Sequence, residues 1–276
     1  MKKRALWKDF YMEIRHSLGR FLSIFFIVAI GCSFFSGIRA SEPDMRYSGD
    51  AYFDHKNMMD LRIISTMGLT EEDKKAVEQI EGIEHAEGRY SVDALCADGD
   101  NQVVVHVMSF LPTMSEVQLE EGRMPEKENE CALDADYIAK SGLKVGDTIT
   151  FSGGADALIT ESLITDTFKI TGTVSSPEYI SFQRGSTTIG NGSVRAFVYV
   201  PKESFSMDVY TELCVQAKGA KELTAFTSEY EAVAAEAKKS VEKIKSQRQE
   251  ARYTEIVNEA NEKIGEAEAE IGRAHV

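Results

Sequence analysis

Eighteen consecutive positions, residues 21–38 (FLSIFFIVAIGCSFFSGI), carry no charged side chain, whereas charges are scattered through almost all the rest of the chain. At about 1.5 Å per residue the stretch covers roughly 27 Å, close to a hydrocarbon core of about 30 Å. A soluble helix is rarely that long and apolar on every side, so the pattern predicts a membrane-spanning helix. A cleaved signal peptide would have an apolar core of about 7–15 residues, a short basic start and a small-x-small site. Here the run is longer, twenty residues including Asp9 and Glu13 precede it, and Ile38-Arg39-Ala40 makes a poor cleavage site. An anchor is the better reading. Along it, Ala29, Ser33 and Gly37 recur every fourth residue with Ser36 beside them, a small-residue strip of the kind that lets membrane helices approach closely. Ordinary Gly and Ser content is the bland alternative.

Ahead of the span, Leu6, Trp7, Phe10, Ile14 and Leu18 fall at helical steps among basic and polar residues, which predicts an amphipathic helix lying in the headgroup layer. Trp7 and Tyr11 suit that interface. A cytosolic helix packing on a partner protein is a compatible reading. After the span, residues 41–66 are polar, contain Pro43 and keep no sustained period, apart from a short strand at Ile63-Ile64. Thr70 with Asp73 predicts a capped helix of three turns through Val77 and Ile80, with Gly82 as its C-terminal glycine. Residues 86–95 and 102–110 read as a hairpin about the turn 97–101, followed by strands at 130–133, 148–151, 168–174, 195–200 and 213–217. A short helix over 134–141 is closed by Gly142. Strands and helices mix without βαβ regularity, so the fold class is α+β with an antiparallel or mixed sheet.

From Leu223 the texture changes again: Phe226, Tyr230, Val233, Ala237, Val241, Ile244, Ala251, Ile256, Ala260, Ile264, Ala267 and Ile271 keep an approximate three-four spacing with no proline among them. This predicts a long coiled-coil-type helix whose narrow, alanine-rich seam needs a partner helix. The expected organisation is therefore residues 1–20 interface helix, 21–40 membrane helix, 41–222 α+β domain and 223–276 long helix. The ending Ile271-Gly272-Arg273-Ala274-His275-Val276 breaks the Glu/Ala/Ile pattern before it. We expect the native frame to diverge near Glu270, return along a second, antiparallel helix and continue into further membrane spans.

Charge orients the chain. The net charge is −14, yet the first twenty residues hold six basic and two acidic side chains, leaving −18 for the remainder. The basic flank predicts a cytoplasmic N-terminus, with residues after 40 extracytoplasmic at the cell membrane. So acidic an exterior argues against nucleic acid as a partner. Cys32, Cys96, Cys131 and Cys214 form no C-x-x-C pair, so neither a zinc site nor a disulfide framework is expected. Cys96, Cys131 and Cys214 read as small buried hydrophobes, one pairing among them being the alternative. Gly190-Asn191-Gly192 lacks a third glycine and reads as a turn. No Gly-Lys-Ser/Thr loop, G-x-S-x-G elbow or metal-spaced histidine pair occurs among His16, His55, His85, His106 and His275. His55, near Asp50, Asp54 and Asp60, reads as part of a solvated loop. No catalytic residue, metal or cofactor is expected, and the composition points to a mechanical or binding role.

The opening, with Trp7-Lys8-Asp9, Glu13-Ile14, Ser17, Gly19-Arg20-Phe21-Leu22-Ser23-Ile24, Ala29-Ile30-Gly31, Phe34-Phe35, Ala40-Ser41 and Pro43-Asp44-Met45, resembles the start of FtsX/MacB-like ABC transporter permeases. Further on, Gly122-Arg123-Met124-Pro125, Glu130, Gly146-Asp147-Thr148-Ile149, Ile170-Thr171-Gly172-Thr173-Val174, Ser176-Pro177 and Ile189-Gly190-Asn191-Gly192 resemble the MacB-like extracytoplasmic core domain. The likeness covers the chain up to about Gly272, on turns and strand ends rather than active-site signatures. It implies a permease that couples ATP hydrolysis by a cytosolic ABC ATP-binding subunit to an exterior domain acting on peptides, lipids or lipoproteins. Other membrane helices, or a second permease copy, would pack on its span. Such permeases have further membrane helices and a cytoplasm-facing coupling segment, which this sequence does not contain. The competing reading is a single-span receptor or anchored binding protein that dimerises through its coiled coil; an anchored hydrolase lacks a site.

Overall fold

The computed structural model describes residues 2–99, 101–154 and 158–274, so Asp100 of the expected hairpin turn, His275 and Val276 lie outside the described residues. The chain divides into two units at Asp50/Ala51. The first holds α1 (Lys2–His16) and most of α2 (Leu18–His55). A break at Ser17 separates the two helices, so Leu18 opens α2 instead of closing the amphipathic helix. The extended polar segment expected after the apolar run is helical as far as His55, with Pro43 inside. Proline removes one helical donor and disfavours the interior position. The good helix formers around it and an Arg46–Glu42 pair of 3.1 Å one turn apart act the other way.

In the second unit, a three-stranded sheet contains β1 (Leu61–Leu69), β10 (Tyr210–Ala217) and β2 (Ile83–Arg89), with β10 central and antiparallel to both neighbours. One face is covered by α3 (Glu71–Glu78) and α5 (Ser228–Ala274) through Val77, Leu213, Val215 and Ala237. The capping box of Thr70 and Asp73 forms as the sequence predicts, but α3 ends at Glu78, a turn early. Gly82 instead takes φ +94 in the turn into β2.

The other strands are β3 (Ser91–Asp98), β4 (Asn101–Ser109), β5 (Gln118–Gly122), β6 (Glu130–Asp134), β7 (Thr148–Ser152), β8 (Thr167–Ser175) and β9 (Val194–Val200). Their order is β5-β8-β6-β9-β4-β3-β7, and β7 also pairs with β8. Six strands therefore close into a barrel, with β5 extending the edge of β8 beyond β7. Parallel pairs β4/β9 and β6/β8 sit among antiparallel ones, which is the mixed α+β arrangement the pattern predicts. Closure removes exposed edges. The interior follows from the two-residue alternation: Val105, Val107, Leu133, Phe151, Phe168, Ile170 and Val198 point inward and are buried.

The stretch read as one strand over 86–95 is two strands in different sheets, parting at Tyr90, whose ring packs against both Phe205 and Tyr210. The helix α4 (Ala135–Ser141) matches its expectation: Asp134 caps its start and Gly142 ends it at φ +79, a left-handed position that glycine takes without strain. Gly172 in β8 is required for another reason. A Cβ there would stand 2.5 Å from the Arg123 carbonyl oxygen where the chain beyond β5 crosses.

Candidate functional site: the apolar helix and its joint to the two sheets

The helix α2 is the one helix among the described residues long and apolar enough to cross a membrane, and none of its residues is buried. The predicted packing strip lies along it: Ala29 is half-buried, and Ser33, Ser36 and Gly37 are exposed. A Cβ at Gly37 would meet nothing within 4 Å. The strip is thus a bare surface here. On α1, Leu6, Trp7 and Phe10 are exposed and Ile14 half-buried, with Trp7 edge-on to Phe10 at 6.0 Å.

Where α2 ends, the chain builds a joint that the sequence pattern did not reveal. Asn57 takes φ +49, which asparagine tolerates better than most residues. Met58 N–H donates to the Phe53 carbonyl at 3.0 Å and Asn57 N–H to that of Asp54 at 3.2 Å, the paired bonds of a Schellman cap. The Asn57 amide donates to the Thr113 carbonyl at 2.5 Å, while its Oδ1 accepts from Gln216 and Lys221, each at 3.0 Å. Its own carbonyl accepts Ser115 N–H at 2.9 Å, and that of Lys56 accepts Glu116 N–H at 2.8 Å. Gln216 belongs to β10, and residues 113–116 follow β4 of the barrel. One residue at the helix end therefore holds both sheets. The Phe53 ring also packs against that of Phe226, tilted by 57° at 5.9 Å, shortly before α5 begins.

The same loop is held from the other side. Glu87 of β2, buried, accepts from Thr113 N–H at 3.0 Å and from its hydroxyl at 2.6 Å. Two residues on in β2, fully buried Arg89 donates from Nε to Glu212 of β10 at 2.8 Å, and from Nη1 and Nη2 to Glu178 at 2.5 and 2.9 Å. Glu178 sits in the 3-10 turn Pro177–Tyr179 that follows β8, so one guanidinium ties sheet to barrel. Burial would lower the Arg89 pKa, but Glu178 and Glu212 hold it well above its usual range. Burial would raise the Glu212 pKa, but Arg89 with Arg62 brings it below its ordinary value instead. An intact buried pair is weak evidence of stability, whereas removing one partner strands a charge.

The seam expected to need a partner helix is first taken by the sheet. Val233, Ala237, Val241 and Ile244 of α5 pack there. Tyr230 donates to Asp60 at 2.7 Å, Arg248 Nε to Asp73 at 2.6 Å and Arg252 Nε to the Met67 carbonyl at 3.2 Å. Cys96, Cys131 and Cys214 are buried and unpaired, as small hydrophobes. Burial pushes the Cys96 thiol to about 11 and that of Cys214 to about 12. His55 ends α2 rather than sitting in a loop, and Gly190-Asn191-Gly192 is a turn closed by a Gly192-to-Ile189 bond of 3.1 Å. Among the described residues no three His, Cys, Asp or Glu side chains converge to hold a metal ion.

Residues 17–245 match the model of the MacB-like periplasmic core domain. The chain belongs to the MacB-like periplasmic core domain family. The resemblance read from its turns and strand ends is thereby borne out, and it is a plasma-membrane permease component of the ABC-transporter type. The family model takes in α2, the joint at Asn57, both sheets and α5 as far as Lys245. Three solved structures resemble this MacB-like chain. The extracellular domain of the noncanonic ABC-type transporter YknZ from Gram-positive bacteria is 12% identical, TM-score 0.36, over 57% of this chain and 78% of that one. The periplasmic region of MacB from Actinobacillus actinomycetemcomitans is 13% identical, TM-score 0.33, over 68% and 84%. A permease-protein domain from Porphyromonas gingivalis is 14% identical, TM-score 0.35, over 68% and 85%. The assignment rests on the family match and not on these likenesses. Among curated proteins no relative matches.

Proposed function

We propose that this chain is the permease subunit of an FtsX/MacB-type ABC transporter, coupling ATP hydrolysis by a separate cytosolic subunit to movement of its two-sheet domain. Residues 1–20 lie on the cytoplasmic side, α2 crosses the bilayer through 21–40, and residues after 40 are extracytoplasmic, acting on peptides, lipids or lipoproteins. The observation that carries the reading is the continuity of α2. One unbroken helix runs from the apolar stretch to His55 and is capped by Asn57, whose bonds reach both the barrel loop and β10. Within the second unit, the end of α2 is thus tied to both sheets at one residue. The small-residue strip at Ala29, Ser33, Ser36 and Gly37 is where the span meets other membrane helices of the permease or of a second copy.

These 276 residues hold no Gly-Lys-Ser/Thr loop, and in this proposal the energy is supplied by a partner. Purified alone, the protein is expected to hydrolyse no ATP, and the full-length form expressed from its own locus is expected to co-purify with an ATP-binding subunit. ATP hydrolysis by the isolated protein contradicts the proposal.

A further inference from the structure

Beside the buried Arg89 network, where sheet and barrel meet, lies a cavity of about 200 Å³. Phe110, Leu111, Val117, Met124 and Tyr199 give it apolar walls, and the rings of Phe110 and Tyr199 stack at 5.2 Å. Arg89, Glu178, Ser115 and Glu116 complete the lining. At about 30 Å³ per liquid water, the space equals roughly six or seven waters. It falls below the ~300 Å³ at which pockets for whole small molecules begin. Its size is that of one long side chain.

Charge decides which side chain fits. Glu212 takes Nε of Arg89, and Glu178 takes Nη1 and Nη2, while Arg62 lies 3.4 Å from Glu212. These four charges cancel, so Arg89 has no surplus to offer an anion. Glu116 is exposed and leaves the lining with a negative charge on the side that opens to solvent. An entering carboxylate would meet both Glu116 and Glu178. A plain aliphatic side chain would use the walls and leave Glu116 unanswered. An ammonium on an apolar stem uses both, its stem along the walls and its charge against an aromatic face and a carboxylate. Lysine suits the site better than arginine, whose planar fork is made for two carboxylate oxygens, because both oxygens of Glu178 are already held by Arg89. The −18 carried after residue 20 also favours approach of a cationic partner.

We propose that this cavity anchors a lysine side chain presented by a peptide partner. Its occupancy bears on the end of α2. The N–H groups of Ser115 and Glu116 donate to the Asn57 and Lys56 carbonyls at 2.9 and 2.8 Å. Ser115 sits at φ +48, a left-handed conformation that residues other than glycine seldom take. A side chain seated in the cavity packs on the two residues that hold the helix end and slows their opening. The inference does not rest on the permease reading.

Calorimetric titration tests it, with the 276-residue chain in nanodiscs of uncharged phosphatidylcholine and empty discs as the blank. The probes are blocked Gly-X-Gly peptides in which X is lysine, norleucine or glutamate. The lysine peptide is expected to bind at least ~10-fold more tightly than the other two. Glu116→Gln, at an exposed position, is expected to weaken it about 3-fold, and Met124→Trp, which fills the cavity, to abolish binding. With the lysine peptide present, hydrogen exchange at the Ser115 and Glu116 amides is expected to slow about 5-fold. No heat with the lysine peptide at ~10 mM, equal binding of norleucine or tighter binding of glutamate overturns the proposal. So does lysine binding that Glu116→Gln leaves unchanged, which marks diffuse attraction to an acidic protein, and so does binding without slowed exchange at Ser115 and Glu116, which places the peptide elsewhere.

Discussion

Arg89 is the side chain whose removal separates this account from one in which sheet and barrel merely lie side by side. It is fully buried, between Glu178 on the barrel side and Glu212 in the sheet. Arg89→Met leaves Glu178 without its cation and Glu212 with only Arg62, 3.4 Å away, and a loss of ~3–5 kcal/mol is expected in urea unfolding. Adding Glu212→Gln to that variant is expected to cost less than the sum of the two single changes, because the pair shares one network. Glu130 offers a pH readout. Arg123 binds its carboxylate through two nitrogens at 2.8 and 2.6 Å, and backbone N–H groups of Glu126 and Lys127 add to this, bringing its pKa to about 2. An unfolded glutamate titrates near ~4.3. The folded value is the lower one, so the stability Glu130 contributes is fully present above the unfolded pKa and is lost as pH falls from there to about 2. Glu130→Gln is expected to flatten that part of the acid limb in urea midpoints taken between pH 6 and 2, and an unchanged limb would remove the role. Neither network is legible in the chain itself. Arg89 reads as one polar residue in an alternating run, and its partners lie 89 and 123 residues away.

Among the elements, the sequence was most informative where a local rule settles the outcome. The capping box at Thr70, the Asp134 start and Gly142 stop of α4, and the strands of the barrel with their inward alternation all follow from neighbours a few residues apart. It was least informative where distant pairing decides. Residues 86–95 keep one alternation, yet the chain parts at Tyr90 because β2 finds β10 and β3 finds β4. Barrel closure depends on β7 reaching both β3 and β8. Pro43 argued against helix, and the unbroken α2 that hid behind it also concealed Asn57, whose place just past a helix end would have marked it as a cap. For the membrane helix, the account predicts that Gly37→Leu lowers assembly or activity several-fold, since a bulky side chain separates packed backbones. Phe26→Leu, on another face, is expected to be tolerated. Equal effects in a side-by-side purification would remove the packing role of the Ala29, Ser33, Gly37 strip.

For the whole molecule, the proposal sets the N-terminus and the two-sheet domain on opposite sides of a membrane, and every functional statement about coupling depends on that. The basic residues before the span and the −18 carried after it are the physical reason. Paired reporter fusions measure it directly, with alkaline phosphatase, active only outside the cytoplasm, and a fluorescent protein that matures only inside it, each joined after Arg15 and after Thr66. The account predicts phosphatase activity without fluorescence at Thr66 and fluorescence without phosphatase activity at Arg15. A Thr66 fusion that fluoresces and lacks phosphatase activity would contradict the orientation and the coupling mechanism built on it.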